Sequence, residues 1–365
     1  MMPSSFKFSV RKLNWVYVIP IHDLLIEELS SAVNDLLGKI NPVDSLTRYL
    51  RNIGVYPIRT SELGEPVDVV AGDSSRVAKK LSLAVIYAVQ ATSLKASLKS
   101  HSPSRLVVKS LAGYHAPTSK EVVPHELIDR ILQLISRALE VKSVTELLDN
   151  DDVALFDGSL ISFLWGYTKR GMPRGFYPSY YNRIKDIWHE VFSGITNALR
   201  RAKPLFIAKT PMRNYYVDIL LSSDAPREVR EGVNDLVLIK ALRKSGRLPK
   251  TPHILEPVYV GREDLPRPLN VLDVNLDVIT PITVTYVTFN TATQPYQLSI
   301  PGKLDVKELV ELVSKVYPYS LSGYPDPLKV AHNKCKITNA EFRTLLYKLG
   351  LSSVPTGREL LGEFL

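Results

Sequence analysis

Apolar residues change their spacing several times along this chain, and each change marks a different element. Between residues 22 and 40 (HDLLIEELSSAVNDLLGKI), Leu24, Leu25, Leu29, Val33, Leu36 and Leu37 recur at helical spacing, which predicts an amphipathic helix. A polar, proline-bearing connection follows to about residue 66. The period then shortens. VDVVAGD (67–73), LSLAVIYAVQA (81–91) and SRLVVKSLAG (104–113) are short, β-branched and bounded by turn residues, and read as three strands. From Pro124, a residue suited to a first helical turn, the helical period returns. Ile128, Ile131, Leu132, Ile135 and Leu139 make one apolar stripe. The acidic break DNDD (149–152) ends it, and VALFD (153–157) reads as a fourth strand.

The second half predicts a helix over about 180–202, a buried strand at PLFIAK (204–209) and helix over 226–245. The stretch 247–269 carries five prolines and reads as a loop or lid. Strands resume at LDVNLDVIT (272–280) and ITVTYVTFN (282–290). Helices are expected near 305–317 and 338–349, the second opened by Thr338 and Glu341 at capping-box spacing. The order β-β-β-α-β followed by mixed elements predicts an α/β fold.

Composition narrows the partners. Hydrophobic residues make up 45% and charged residues 23%, the mix of a soluble globular protein. Lys plus Arg number 46 against 37 Asp plus Glu, and the net charge of +9 favours a polyanionic partner. The one cysteine, Cys335, excludes an intramolecular disulfide and a Cys-rich zinc site, and reads as a small buried hydrophobe. With no apolar run of membrane-spanning length and no apolar signal-peptide core in MMPSSFKFSVRKLNW, the expected location is the cytoplasm.

Two acids end apolar strands, each followed by small residues: Asp73 before Ser-Ser and Asp157 before Gly-Ser. Acids at strand ends also serve as helix N-caps, and the pair alone fits either role. A third acid, Glu140, lies on the helix between the third and fourth strands, with Glu146 as a rival on the same helix. Three converging carboxylates repel one another unless a cation intervenes. Oxygen ligands suit Mg²⁺ and Mn²⁺, and two ions about 4 Å apart suit phosphoryl displacement. Residues 165–215 hold ten Lys or Arg against Asp186 and Glu190, interleaved with Trp165, Tyr167, Phe176, Tyr177, Tyr180, Tyr181 and Trp188. That mixture fits single-stranded nucleic acid, with bases on aromatics and cations along the backbone. Arg170, Arg174, Arg183 and Lys185 are the expected DNA contacts.

VVAGDSSR (69–76), ALFDGSL (154–160), FIAKTPMRNYYVDIL (206–220), ITVTYVTF (282–289) and GYPDPLKVAHNKCKIT (323–338) occur in the order of known motifs. On these the chain resembles the NurA family. The family's first motif usually reads Asp-Gly-Ser; here the glycine precedes the acid. The resemblance implies an RNase H-like mixed β-sheet flanked by helices, with N-terminal helical and C-terminal extensions. It divides the chain into 1–64, a nuclease domain over 65–345, and a tail over 346–365. It implies a Mn²⁺-dependent nuclease, with two ions and Mg²⁺ as a substitute, that cuts single strands internally and degrades DNA 5′ to 3′. It further implies homodimers docked on a hexameric HerA translocase in DNA end resection. Carried over residue by residue, Asp73, Glu140, Asp157 and His332 would hold metal, and Lys209, Tyr286 and His332 would complete the catalytic site. Lys209 would neutralise a phosphate oxygen, His332 would bind metal or move a proton, and the Tyr286 hydroxyl would orient water or phosphate. A catalytically weak adaptor on the translocase, or an RNase H-like enzyme acting on RNA, are the alternatives. The helix at 22–40 and the apolar end RELLGEFL (Leu360, Leu361, Phe364, Leu365) are the expected contact surfaces.

Overall fold

A computed structural model of the chain describes residues 46–58, 67–81, 84–98, 105–115, 125–164, 178–211, 213–265 and 274–351. The expected helix at 22–40, the residues Arg170 and Arg174, the aromatics from Trp165 to Tyr177, the side chains of Tyr180 and Tyr181, and RELLGEFL lie outside the described residues.

The strands are β1 (Val55–Pro57), β2 (Val69–Lys80), β3 (Val85–Ala96), β4 (Arg105–His115), β5 (Val153–Asp157), β6 (Lys203–Ala208), β7 (His253–Leu255), β8 (Val258–Val260), β9 (Ile282–Thr288) and β10 (Tyr296–Pro301). The main helices are α1 (His125–Leu147), α2 (Pro178–Arg201), α3 (Asp235–Lys244), α4 (Val306–Val316), α5 (Asp326–Cys335) and α6 (Asn339–Lys348). One ten-stranded sheet runs β1-β7-β9-β10-β6-β5-β2-β3-β4, with β8 added on β9. Its centre, β2, β5 and β6, is parallel, and the flanking pairs are antiparallel.

A parallel centre needs cover on both faces, which explains why its strands are apolar at successive positions. Val70, Ala154, Phe156 and Phe206 turn to one face and join the core of α1 and α2. Val69, Ala71, Val153, Leu155, Leu205 and Ile207 turn to the other and join the core of α4. Phe156 stacks on Phe206 at 4.8 Å, and Phe163 meets both edge-on at 5.7 and 5.2 Å. Each such aromatic pair contributes about 0.5–1.5 kcal/mol beyond the area it buries. The predicted α1 stripe is the buried face: Ile128, Ile131, Leu132 and Ile135 are all in the core, with Leu139 packed against it. The predicted capping box forms at α6, where Thr338 Oγ1 accepts from Glu341 N and Glu341 Oε2 accepts from Thr338 N.

Several elements differ from expectation, each for a local reason. The connection to residue 66 contains β1, which pairs with β7, so the sheet reaches further upstream. The helix at 226–245 is two pieces, Arg227–Glu231 and α3, because Asn234 caps a fresh start by accepting from Val237 N. The proline-rich 247–269 carries β7 and β8, with Pro257 in the gap between them. LDVNLDVIT holds a 3-10 turn at Leu276–Val278, where the Asn275 side chain accepts from Asp277 N and overrides the β-branched pattern. β10 has no continuous apolar run because Gln297 and Ser299 are buried and hydrogen-bonded.

Candidate active site

Asp73 and Asp157 come from adjacent parallel strands. The register pairs Gly72 with Phe156, so the next residue on each strand is a carboxylate. β5 ends at Asp157, and Gly158 turns the chain with φ of +125°, a conformation glycine adopts without strain. β2, by contrast, does not end at Asp73. It continues to Lys80 in a long hairpin with β3, whose register runs out to Lys80↔Val85. Ser74 and Ser75 are therefore strand residues and not a turn.

α5 packs against β2 and brings His332 Nδ1 to 2.6 Å from Asp73 Oδ2. One ligand atom from each of Asp73, Asp157 and His332 lies within 4.8 Å of the others. Lys209, just past β6, places Nζ 2.7 Å from Asp157 Oδ2 and 4.3 Å from the centroid of the Tyr324 ring. Tyr324 is buried, and burial together with Asp157 and Asp73 pushes its phenol up.

Glu140 comes from the opposite face, on α1. Gly72 makes this possible: a Cβ there would collide with the Val144 side chain and crowd Ser93. Without it α1 lies close against β2. Ser74 Oγ donates to Glu140 Oε2 at 2.7 Å and accepts from Ser136 Oγ at 2.7 Å, while Ser74 N–H donates to Asp73 Oδ1 at 2.7 Å. Glu140 Oε1 is buried without a partner. The rival Glu146 is exposed and paired with Lys109.

The charges here oppose one another. Burial raises the Glu140 carboxyl well above its ordinary value, and Asp73 and Asp157 push it further. Burial also raises Asp73; the Ser74 N–H lowers it, Asp157 raises it and His332 lowers it. Arg137, beside Glu140, is lowered to about 10 by burial and donates to Phe163 O at 3.2 Å. The Cys335 thiol is pushed up by burial and by Asp73 and Glu140, as suits a buried free cysteine. Two aspartates and an imidazole are a donor set that fits a divalent cation, whose charge would cancel this repulsion. Glu140 is not within that 4.8 Å group and offers a free buried oxygen from the other side of β2.

Tyr286 is not at this cluster, which corrects the sequence expectation. Its hydroxyl donates to Asp235 Oδ2 at 3.0 Å and accepts from Gln297 Nε2 at 3.1 Å inside a separate core. Strand alternation turns β9 residue 286 to the same side as Gln297 and away from the Leu298 side, which faces the Asp157 half of the core. Tyr324 stands beside the acids instead. It was legible only as the tyrosine of the GYPDP motif preceding the helix of His332. Ser74, Ser136 and Arg137 were also missed; Ser136 stands four residues before Glu140, on the same helical face.

Of the expected DNA contacts, Arg183 is exposed and Lys185 half-buried on α2. Trp188 is no stacking platform. It is fully buried against Phe192, with Nε1 donating to Leu164 O.

A mixed sheet whose parallel centre sets two aspartates side by side, with a helix glutamate below, defines an RNase H-like α/β fold. A family model described as the NurA domain matches residues 67–337, and the chain belongs to the NurA family. The NurA nuclease from Sulfolobus solfataricus superposes with a TM-score of 0.59 at 16% identity, over 92% of this chain and 97% of that one. A NurA structure bound to dAMP and manganese gives 0.52 at 16% identity, over 91% and 97%. An uncharacterized protein of Methanocaldococcus jannaschii is 37% identical over 89 residues, 22% of this chain and 21% of that relative. This chain thus matches about a fifth of that curated relative's length.

Proposed function

We propose that the protein is a metal-dependent DNA nuclease, cutting single strands internally and degrading ends 5′ to 3′. The observation that carries this reading is the convergence of Asp73, Asp157 and His332 within 4.8 Å, with Glu140 hydrogen-bonded beneath through Ser74. Asp73, Glu140, Asp157 and His332 would hold the ions, two Mn²⁺ with Mg²⁺ as a substitute. When bound, the ions supply charge that acidifies a water and steadies the oxygen leaving phosphorus.

The chain's own residues do the rest. Lys209, with 42% of its side chain exposed, sits where a phosphate oxygen can meet its ammonium group. Its contact with Asp157 fixes that ammonium at the cluster's edge. His332, with 51% of its side chain exposed, has Nδ1 on Asp73, which leaves Nε2 either to hold an ion or to exchange a proton with substrate or solvent. The Tyr324 hydroxyl stays protonated beside the carboxylates and can donate to a phosphate oxygen. Arg170, Arg174, Arg183 and Lys185 guide the strand by its backbone, consistent with the net charge of +9. The protein acts as a homodimer on a HerA-type hexameric ATPase in DNA end resection, with residues 22–40 and the apolar C-terminus as contact surfaces. Among the described residues no helix is long and apolar enough to cross a membrane.

The test is cleavage of labelled single-stranded DNA, and of matched RNA, across a Mn²⁺ titration. Asp157→Asn and Asp73→Asn should abolish cleavage of DNA while the protein stays folded. Tyr324→Phe should lower turnover. Tyr286→Phe should leave turnover intact and instead reduce stability by about 1–3 kcal/mol, as Asp235 loses a buried donor. Undiminished hydrolysis by Asp157→Asn would sink the site assignment, and cleavage of RNA alone would overturn the substrate.

A further inference from the structure

Ser74 grips two carboxylates with two different groups. Its N–H donates to Asp73 Oδ1 and its hydroxyl to Glu140 Oε2. A serine hydroxyl carries one proton. Ser136 Oγ donates into Ser74 Oγ, so the Ser74 proton is left to the glutamate. Ser136 and Glu140 share a face of α1, and Ser74 lies between them across the strand–helix contact. The chain of hydroxyls fixes how the Glu140 carboxylate is turned. One oxygen is held, and Oε1 remains without a partner although it is buried. A buried acceptor in that state is unfavourable and calls for a ligand. On Asp73 both oxygens are already oriented, Oδ1 by Ser74 and Oδ2 by His332.

We infer that Ser74, backed by Ser136, is a positioning residue that turns Glu140 so that Oε1 meets a divalent cation held also by Asp73. The inference rests on the metal-dependent reading above. Ser74 acts through the two acids and touches neither substrate nor the reacting atoms. A purely structural tether between β2 and α1 would affect folding alone. A positioning role affects the affinity for metal.

The experiment uses the full chain and Mn²⁺ alone, with binding followed by the loss of the free-ion electron paramagnetic resonance signal, without substrate. Ser74→Ala should weaken Mn²⁺ binding by about 10–100-fold, the usual range for a partner that orients a ligand. Ser74→Thr, which keeps a hydroxyl, should restore it. Ser136→Ala should give a smaller loss in the same direction, and it carries the test if Ser74→Ala does not fold. The Mn²⁺ concentration for half-maximal cleavage should move in parallel. Wild-type affinity in folded Ser74→Ala, or no change in Ser136→Ala where Ser74→Ala fails to fold, overturns the role of Ser74. A loss in Ser74→Ala that threonine does not restore also overturns it. A wild-type protein that binds no Mn²⁺ overturns the metal-dependent reading itself.

Discussion

Glu140 is the residue whose chemistry depends most on its surroundings. It is 3% exposed, and burial with Asp73 raises its folded carboxyl value well above the unfolded one near 4.3. In metal-free protein the folded state therefore binds the Glu140 proton more tightly than the unfolded chain does. That contribution is fully present below the unfolded value and is lost as pH rises through the folded one. Glu140→Gln removes the charge and keeps the shape. Without metal, the variant should match wild type near pH 4 and become progressively more stable than wild type toward pH 8, by thermal melting. With saturating Mn²⁺ the order should reverse at pH 8, because only the wild type offers a full carboxylate to the ion. A pH-independent difference would contradict the assignment. The sequence suggested Glu140 from spacing and left Glu146 open. Only the register of α1 against β2 separates a buried acid from one paired with Lys109 at the surface.

At the scale of elements, the site depends on how closely α1 approaches β2. Gly72 is the point of contact, and any Cβ would strike Val144. Gly72→Ala should reduce stability by about 1–3 kcal/mol through overpacking. The same shift should lift Glu140 off Ser74 and lower cleavage further than the stability loss explains, measured by melting and by turnover on one preparation. Elements with one clear period were legible: α1 from its stripe, and β5 and β6 from their unbroken apolar runs. Those that combine polar side chains with burial were not. β10 hides Gln297 and Ser299 inside the sheet, and β2 runs on past Asp73 through Ser74, Ser75 and Arg76 because β3 supplies its hydrogen bonds. In both, pairing with a neighbouring strand overrides the local pattern.

For the whole molecule, the excess of 46 cationic over 37 anionic residues makes binding of a polyanion a matter of counterion release. Affinity for single-stranded DNA should fall linearly with salt on logarithmic axes, by about 0.7 per phosphate contact. Arg183→Ala and Lys185→Ala together should flatten that slope by about 1.4, at constant Mn²⁺ or with a cleavage-dead Asp157→Asn background. An unchanged slope would remove α2 from the DNA path. The sequence by itself determined the α/β class and singled out the two aspartates, the histidine and the lysine as candidates, because each ends a recognisable apolar run or belongs to a motif readable in one dimension. Only the tertiary structure decided that Tyr324 rather than Tyr286 faces the acids and that Trp188 is core. It alone decided that Ser74 links Asp73 to Glu140. The physical reason is that a strand's side chains alternate between faces, and which face meets which helix is fixed by pairing between segments far apart in the chain.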